Sequence, residues 1–159
     1  MTLLSFSILA LVFSCQPSQV EKKPLTTPPP VYKDGIYSAS YDEPNNQGWK
    51  GFLEVQVRDK MIVSANFDYI SKTGALLSQD QAYADNMKKT SGITPSDAAR
   101  ALLDSLVDSQ TAEVAVIPGA KEISETFKAL SQAALTKAAQ GDTSPTLLPQ
   151  TDKAPVVTP

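Results

Sequence analysis

The side chains available for chemistry are few, and their types exclude most classes of enzyme. The sequence has no histidine and one cysteine, so it lacks the usual zinc ligand, any Ser-His or Cys-His nucleophile pair and any internal disulfide. Asp42, Glu43 and Asp80 do not have the spacing of a calcium loop, and we expect them to be solvated. We therefore predict no catalytic residue, no metal site and no hydrolytic or metal enzyme.

The single cysteine, Cys15, follows a short apolar segment. Residues 1–14 are too few to span a bilayer and are typical of an export signal, although the usual basic residues before it are missing. Val12-Phe13-Ser14-Cys15 looks like a lipobox, the sequence at which bacterial lipoproteins are cleaved and lipidated on the cysteine. The alternative is a buried helix ending in an inert thiol, which the proline-rich continuation disfavours. We predict a lipid-anchored, extracytoplasmic protein of the bacterial cell envelope.

Composition shifts divide the rest of the chain. Residues 15–33 contain Pro17, Pro24 and Pro28-Pro29-Pro30, and we expect a semi-rigid linker there. Residues 34–140 carry the patterned segments of one domain, and the Pro/Thr-rich residues 141–159 are expected to be disordered. The net charge of −3 argues against a nucleic-acid partner, and the predicted lipid anchor makes the membrane an expected partner.

Four strands and three helices are predicted within this domain. β-prone runs lie at residues 35–41, 52–57, 61–70 and 113–117, and the middle two are joined at Arg58-Asp59-Lys60 as a hairpin. Capping patterns predict helices that begin after Ser78, after Thr94 and after Pro118-Gly119, and glycines 92 and 141 can end the first and third.

The predicted fold is α+β, a small antiparallel sheet with about three helices on one side. The expected apolar stripes of the second and third helices are Ala99, Leu102, Leu103 and Leu106, and Ile123, Phe127, Leu130 and Ala134.

Several motifs, in order, resemble those of the FMN-binding domain family of exported bacterial lipoproteins, in particular its major membrane immunogen subgroup. They are Asp34-Gly35-Ile36-Tyr37, Gly48-Trp49-Lys50-Gly51-Phe52, Asp68-Tyr69, Ser78-Gln79-Asp80 with Tyr83 and Met87, Ser91-Gly92 with Pro95, and Gly119-Ala120 with Ser124 and Phe127. The resemblance implies a flavin cofactor, FMN, and electron transfer to a redox partner protein outside the cytoplasm. In that family a Ser/Thr-Gly-Ala-Thr/Ser turn receives FMN, which a flavin transferase joins through its phosphate to the final hydroxyl.

This sequence departs from that turn at the acceptor position. Pro118 replaces the first hydroxyl residue, and Lys121 replaces the acceptor, so a phosphoester cannot form there. Ser124, the nearest hydroxyl, lies about one helical turn further on. We therefore expect no covalent FMN. Lys121 could still hold a phosphate by charge, with Gly119 and Ala120 in the turn, or it could be a solvated residue in a turn that only starts a helix.

The aromatic residues allow two interpretations as well. Trp49, the only tryptophan, follows a loop-like stretch and could stack on a flavin or pack at the entrance of the hairpin. Tyr83 and Met87 lie four residues apart on one helix face and are expected in the core. Two functions follow: a flavin-carrying lipoprotein, with candidate cofactor-binding residues Gly119, Ala120, Lys121, Ser124 and Trp49, or a surface lipoprotein and antigen that keeps the fold as an interaction module without a cofactor.

Overall fold

The computed structural model describes residues 31–151, which form a four-stranded sheet and three helices. The predicted signal segment, Cys15, most of the linker and residues 152–159 lie outside the described residues. The elements are β1 (Gly35–Tyr41), β2 (Trp49–Arg58), β3 (Met61–Ser71), α1 (Gln81–Ser91), α2 (Pro95–Ser109), α3 (Lys121–Gln140) and β4 (Thr146–Leu148). The strand order is β3-β2-β1-β4. The predicted α+β class, a small sheet with three helices, is confirmed.

The predicted hairpin joins β2 to β3. Asp59 and Lys60 have φ angles of 52° and 66°, so both lie in the left-handed region that a two-residue hairpin turn of type I′ requires. Arg58 and Met61 face each other across this turn, and the antiparallel register continues to the pair Trp49 and Ser71. The hairpin forms the centre and one edge of the sheet.

One face of the sheet is covered by helices. Side chains alternate along β2, with Leu53, Val55 and Val57 buried and Glu54 exposed. Helix α3 packs against β1 and β2, and α2 packs against β3. The rings of Phe67 and Phe127 meet edge to face, with centroids 5.0 Å apart. Of the predicted helix stripes, Ala99 and Leu103 are half-buried, and the other six residues are fully buried.

Local capping chemistry sets most helix ends where the sequence predicts them. Thr94 Oγ1 accepts a hydrogen bond from the backbone N–H of Asp97 (3.1 Å) at the start of α2. Gly92 and Gly141 end α1 and α3 in the left-handed conformation. The predicted cap of α1 at Ser78 is wrong, because Asp80 accepts the backbone N–H of Tyr83 (2.9 Å) and Ser78 lies in a short 3-10 turn before it.

Two predictions about strands are wrong. Residues 113–117 pair with no strand within residues 31–151; they connect α2 to α3 instead. The fourth strand lies in the segment predicted to be disordered, where Thr146–Leu148 pairs with β1 in parallel. The sheet is therefore mixed rather than purely antiparallel, and β4 takes the free edge of β1.

The folded domain also extends beyond both predicted limits. Before residue 34, Tyr32 is buried, and its hydroxyl donates a hydrogen bond to the carbonyl of Gln110 (2.9 Å). After residue 140, the backbone N–H of Gln150 donates to Asp42 Oδ1 (2.8 Å). The structured domain thus spans at least residues 32–150.

Candidate functional site

The turn before α3 brings three of the predicted site residues together. Ala120 is the N-cap of α3, its carbonyl accepts the backbone N–H of Ser124 (2.9 Å), and no side chain within residues 31–151 caps the helix. The first backbone N–H groups of a helix have no partner within the helix and carry the positive end of its dipole. Glu122 in the first turn adds a negative charge beside them.

Gly119 has a structural reason to be glycine. Its φ is +79°, and a Cβ placed there would collide with the carbonyl oxygen of Ser91 at the end of α1. The space beside the backbone of Gly119 is therefore occupied by the backbone of Ser91.

Ser124 does not face a cleft. Its side chain is 2% exposed, and its hydroxyl donates to the carbonyl of Ala120 (2.8 Å) and accepts the backbone N–H of Ile117 (3.0 Å). Both bonds hold the turn to the first coil of α3. In this arrangement the Ser124 hydroxyl is directed at the backbone of the turn.

Lys121 lies on the surface beside the same turn. Its side chain is 76% exposed, and its ammonium nitrogen is 3.6 Å from Glu125 Oε1, one turn along α3. An exposed pair of this kind contributes little to stability, so the ammonium group can turn to another anion at small cost.

The helix-start cleft, as we name it, lies between α1 and the beginning of α3. Its volume is about 480 Å³, and it is lined by residues that include Tyr83, Met87, Gly119, Ala120, Lys121 and Glu122. This volume lies within the range of small-molecule sites, roughly 300–1,000 Å³.

A second cleft, which we name the aromatic cleft, adjoins it on the other side of Tyr83. It has a volume of about 360 Å³, and its lining includes Tyr41, Trp49, Tyr69, Tyr83, Glu122 and Glu125. The rings of Trp49 and Tyr83 are almost perpendicular (81°), with centroids 6.4 Å apart. The Tyr83 hydroxyl donates to Gln47 Oε1 (3.1 Å).

Two tyrosines of the aromatic cleft, Tyr69 and Tyr83, stay protonated at neutral pH. Burial raises the pKa of Tyr69 far above its usual range, and this outweighs the hydrogen bond with Thr126, which lowers it. Burial also raises the pKa of Tyr83, and the negative charge of Glu122 raises it further.

The predicted site residues are thus distributed over three places. Gly119, Ala120 and Lys121 line the helix-start cleft, Trp49 lines the aromatic cleft instead, and Ser124 lines neither. Tyr83 and Met87, expected in the core, are half-buried at its margin. Sequence reasoning missed Glu122, which lines both clefts; its position in the first turn of α3 was the available signal. Within residues 31–151 no three acidic or thiol side chains are grouped so that they could hold a metal ion.

Known proteins similar to this chain agree with the fold. The 15 kDa lipoprotein of Treponema pallidum (strain Nichols) is 38% identical over 110 residues, which is 69% of this chain and 78% of that protein. The chain belongs to the family of this lipoprotein. The crystal structure of the CPE2226 protein from Clostridium perfringens matches with a TM-score of 0.72 and 31% identity, over 74% of this chain and 98% of that one. No protein-family model matches the sequence.

Membership of this lipoprotein family supports a place in the cell envelope and association with a membrane through lipid. None of the helices within residues 31–151 combines the length and the apolar character needed to cross a bilayer.

Proposed function

We propose that this lipoprotein is anchored through lipid on Cys15 and binds FMN without a covalent bond in the helix-start cleft, for electron transfer outside the cytoplasm. The observation that carries the proposal is the start of α3. It lacks a side-chain cap, and it borders a cleft of about 480 Å³ together with Lys121. In the FMN-binding domain family, which the sequence resembles, the corresponding turn holds the cofactor.

The residues present fit the two ends of an FMN molecule to different degrees. Backbone N–H groups at the start of α3 and the ammonium group of Lys121 suit a phosphate. Tyr83 and Met87 supply aromatic and thioether surface for a flat ring. Glu122 opposes the phosphate by charge, so we expect modest affinity. The flavin ring would supply the redox chemistry, and the chain would position it.

Binding of FMN tests this proposal through a matched pair of lysines. Lys121→Ala should weaken FMN binding by about 1–3 kcal/mol, the scale of a charge-assisted hydrogen bond. Lys128→Ala removes the same charge from the same helix, where Lys128 pairs with Glu113 (2.7 Å) rather than lining the cleft, and should change binding little. Equal effects of the two variants, or no binding of FMN, would contradict the proposed site.

The anchor is tested separately from the cofactor. Cys15→Ser should release the protein from the membrane fraction of its host, because the thiol that would carry the lipid is lost and no other cysteine can replace it. A variant that remains with the membrane to the same extent as the unmodified protein would show that another feature attaches it.

A cofactor-free interaction module is the second candidate, and two observations favour it. Ser91 occupies the close approach at Gly119, and the Ser124 hydroxyl both donates and accepts a hydrogen bond within the turn. The absorbance spectrum of protein purified from its own host separates the two candidates. Flavin bands support the first, whereas their absence, together with no binding of added FMN, supports the second.

A further inference from the structure

We propose that the aromatic cleft binds a small organic cation of the quaternary-ammonium class, placed between the rings of Trp49 and Tyr83 and beside the carboxylate of Glu122. It differs from the flavin proposal in its ligand and in the use of Trp49, which lines the aromatic cleft but not the helix-start cleft, although Tyr83 and Glu122 line both.

The two perpendicular rings form a corner of the kind that methylated cations occupy. Their planes meet at 81°, with centroids 6.4 Å apart. The face of an aromatic ring is electron-rich and attracts a cation within about 6 Å of its centre, most strongly for tryptophan. Tyr41 and Tyr69 contribute further aromatic lining to the same cleft.

The charges around the cleft select a cation over an anion. The described residues that line it include two carboxylates and no lysine or arginine. Glu125 is paired with Lys121, whereas Glu122 forms no ion pair within residues 31–151. The carboxylate of Glu122 lines this cleft with Tyr69 and Tyr83. Burial is the main cause of the raised pKa of both tyrosines, and the negative charge of Glu122 raises each pKa further.

The corner is held in place before any ligand arrives. Asn45 Oδ1 accepts the backbone N–H groups of Trp49 (2.9 Å) and Gln47 (3.1 Å), which fixes the loop that leads into β2. Gln47 in turn accepts the Tyr83 hydroxyl (3.1 Å) and ties this loop to α1. A preformed corner does not have to be ordered when a ligand binds, so less affinity is lost.

The lining favours a methylated ammonium over a primary one. A primary ammonium group has three N–H donors, each of which must find an acceptor when it leaves water. Of the side-chain acceptors that line this cleft, the Asn45 oxygen already accepts two backbone N–H groups, the Gln47 oxygen accepts Tyr83, and the Glu125 carboxylate pairs with Lys121. The carboxylate of Glu122 is left to act on the charge of the ligand. Methyl groups need no hydrogen-bond acceptor and can pack against the aromatic rings that line the cleft. The carboxylate of Glu122 can attract the positive charge at longer range.

Choline and its neutral carbon analogue 3,3-dimethylbutanol provide the test, because they share shape but differ in charge. Trp49 is the only tryptophan of the whole chain, so its fluorescence reports on this cleft alone. The full chain in a detergent without an ammonium headgroup should show a saturable change with choline, at matched ionic strength. The neutral analogue should bind at least tenfold more weakly. No saturable change with choline, or equal binding of the two compounds, would overturn the proposal.

Matched variants then locate the site. Glu122→Gln should weaken choline binding about 5- to 10-fold, whereas Glu54→Gln, which removes an exposed carboxylate from the opposite face of the sheet, should not. Tyr83→Leu should weaken it about 5- to 30-fold, and Tyr83→Phe, which keeps the ring, by less than threefold. Equal losses of choline affinity for Glu122→Gln and Glu54→Gln would mean that choline is attracted by the overall charge of the protein, which would contradict a specific site. Equal losses for Tyr83→Leu and Tyr83→Phe would contradict the role of the ring.

Discussion

The carbonyl oxygen of Ser91, the last residue of α1, lies where a Cβ of residue 119 would be, so any side chain at Gly119 would collide with it. This contact brings the C-terminal end of α1, which carries the negative end of its dipole, next to the turn before α3. The same turn borders the helix-start cleft. The shape of that cleft therefore depends on a contact between two backbone segments.

We expect Gly119→Ala to destabilise the fold more than Gly74→Ala does. Both glycines have φ near +80°, so both substitutions carry the strain of a left-handed alanine, about 1 kcal/mol. Position 74 has open space for a Cβ, whereas at position 119 the Ser91 backbone must move, which should add roughly 1–3 kcal/mol. Urea denaturation of the two variants measures the difference. Equal losses of stability for Gly119→Ala and Gly74→Ala would mean that the Ser91 backbone can move away from position 119 at little cost in free energy.

Two buried serines of α3 provide a second matched comparison. Ser124→Ala removes the acceptor of the Ile117 N–H and should cost about 1–3 kcal/mol of unfolding free energy. The hydroxyl of Ser131 is buried and has no hydrogen-bond partner within the described residues, so Ser131→Ala should be neutral or stabilising. Thermal and urea unfolding would test both. A larger loss for Ser131→Ala than for Ser124→Ala would contradict these assignments.

Asp142 should make the C-terminal part of the domain sensitive to acid. Hydrogen bonds and an ion pair with Lys137, together with hydrogen bonds from Ser144, lower the pKa of this carboxyl well below its usual range. A lowered pKa in the folded state stabilises the fold above the unfolded value of about 3.9, and this contribution is lost as the pH falls further. The stability advantage of the native protein over Asp142→Asn should therefore shrink between pH 6 and pH 2.

Urea midpoints measured across that pH range are the readout. Lys137→Gln removes the principal partner of the Asp142 carboxylate. The difference in stability between this variant and the native protein should also narrow between pH 6 and pH 2. A gap for Asp142→Asn that stays constant down to pH 2 would show that the carboxylate has the same pKa in the folded and unfolded chain.

The elements that the sequence predicts well are those whose signals are local. The turn at Asp59-Lys60, the cap at Thr94 and the stripe around Phe127 each depend on residues within one or two turns of each other, and all three appear in the structure. The fourth strand depends instead on distant pairing. Thr146–Leu148 is too short for a clear pattern, and it forms by pairing with β1, about 107 positions earlier in the chain. Residues 113–117 have β-prone side chains but no sheet edge to pair with.

The candidate site was predictable only in part for the same reason. The turn at Gly119-Ala120 follows from local sequence and is where it was expected. Whether Trp49 lies beside that turn depends on how β2 and α1 pack, and the structure puts Tyr83 between the two clefts. The burial of Ser124 depends on the backbone N–H of Ile117 in a connection that was expected to be a strand.

The covalent attachment site offers the last prediction. The unmodified protein should carry no covalent FMN when a flavin transferase is co-expressed, because Lys121 has no hydroxyl and the Ser124 hydroxyl is buried and hydrogen-bonded to the turn. The side chain at position 121 is 76% exposed, so threonine should be accepted there without loss of stability. Lys121→Thr combined with Pro118→Ser introduces both hydroxyl residues of the Ser/Thr-Gly-Ala-Thr/Ser turn of the FMN-binding domain family, which the sequence resembles. We expect this double variant to gain a flavin-sized mass, because the helix start still presents uncapped N–H groups to a phosphate.

Intact mass with and without the transferase is the measurement, and Lys121→Val with Pro118→Ser is the control. Valine has nearly the shape of threonine but no hydroxyl, so the adduct should appear only on the threonine variant. An adduct on the unmodified protein would contradict the prediction and would point to Thr126, which lines the aromatic cleft. A threonine variant that is folded by circular dichroism but never gains the adduct would show that the transferase does not recognise this turn. The next change to make would then be one that loosens the contact between Ser91 and Gly119. That contact occupies the close backbone approach that an incoming phosphate would need.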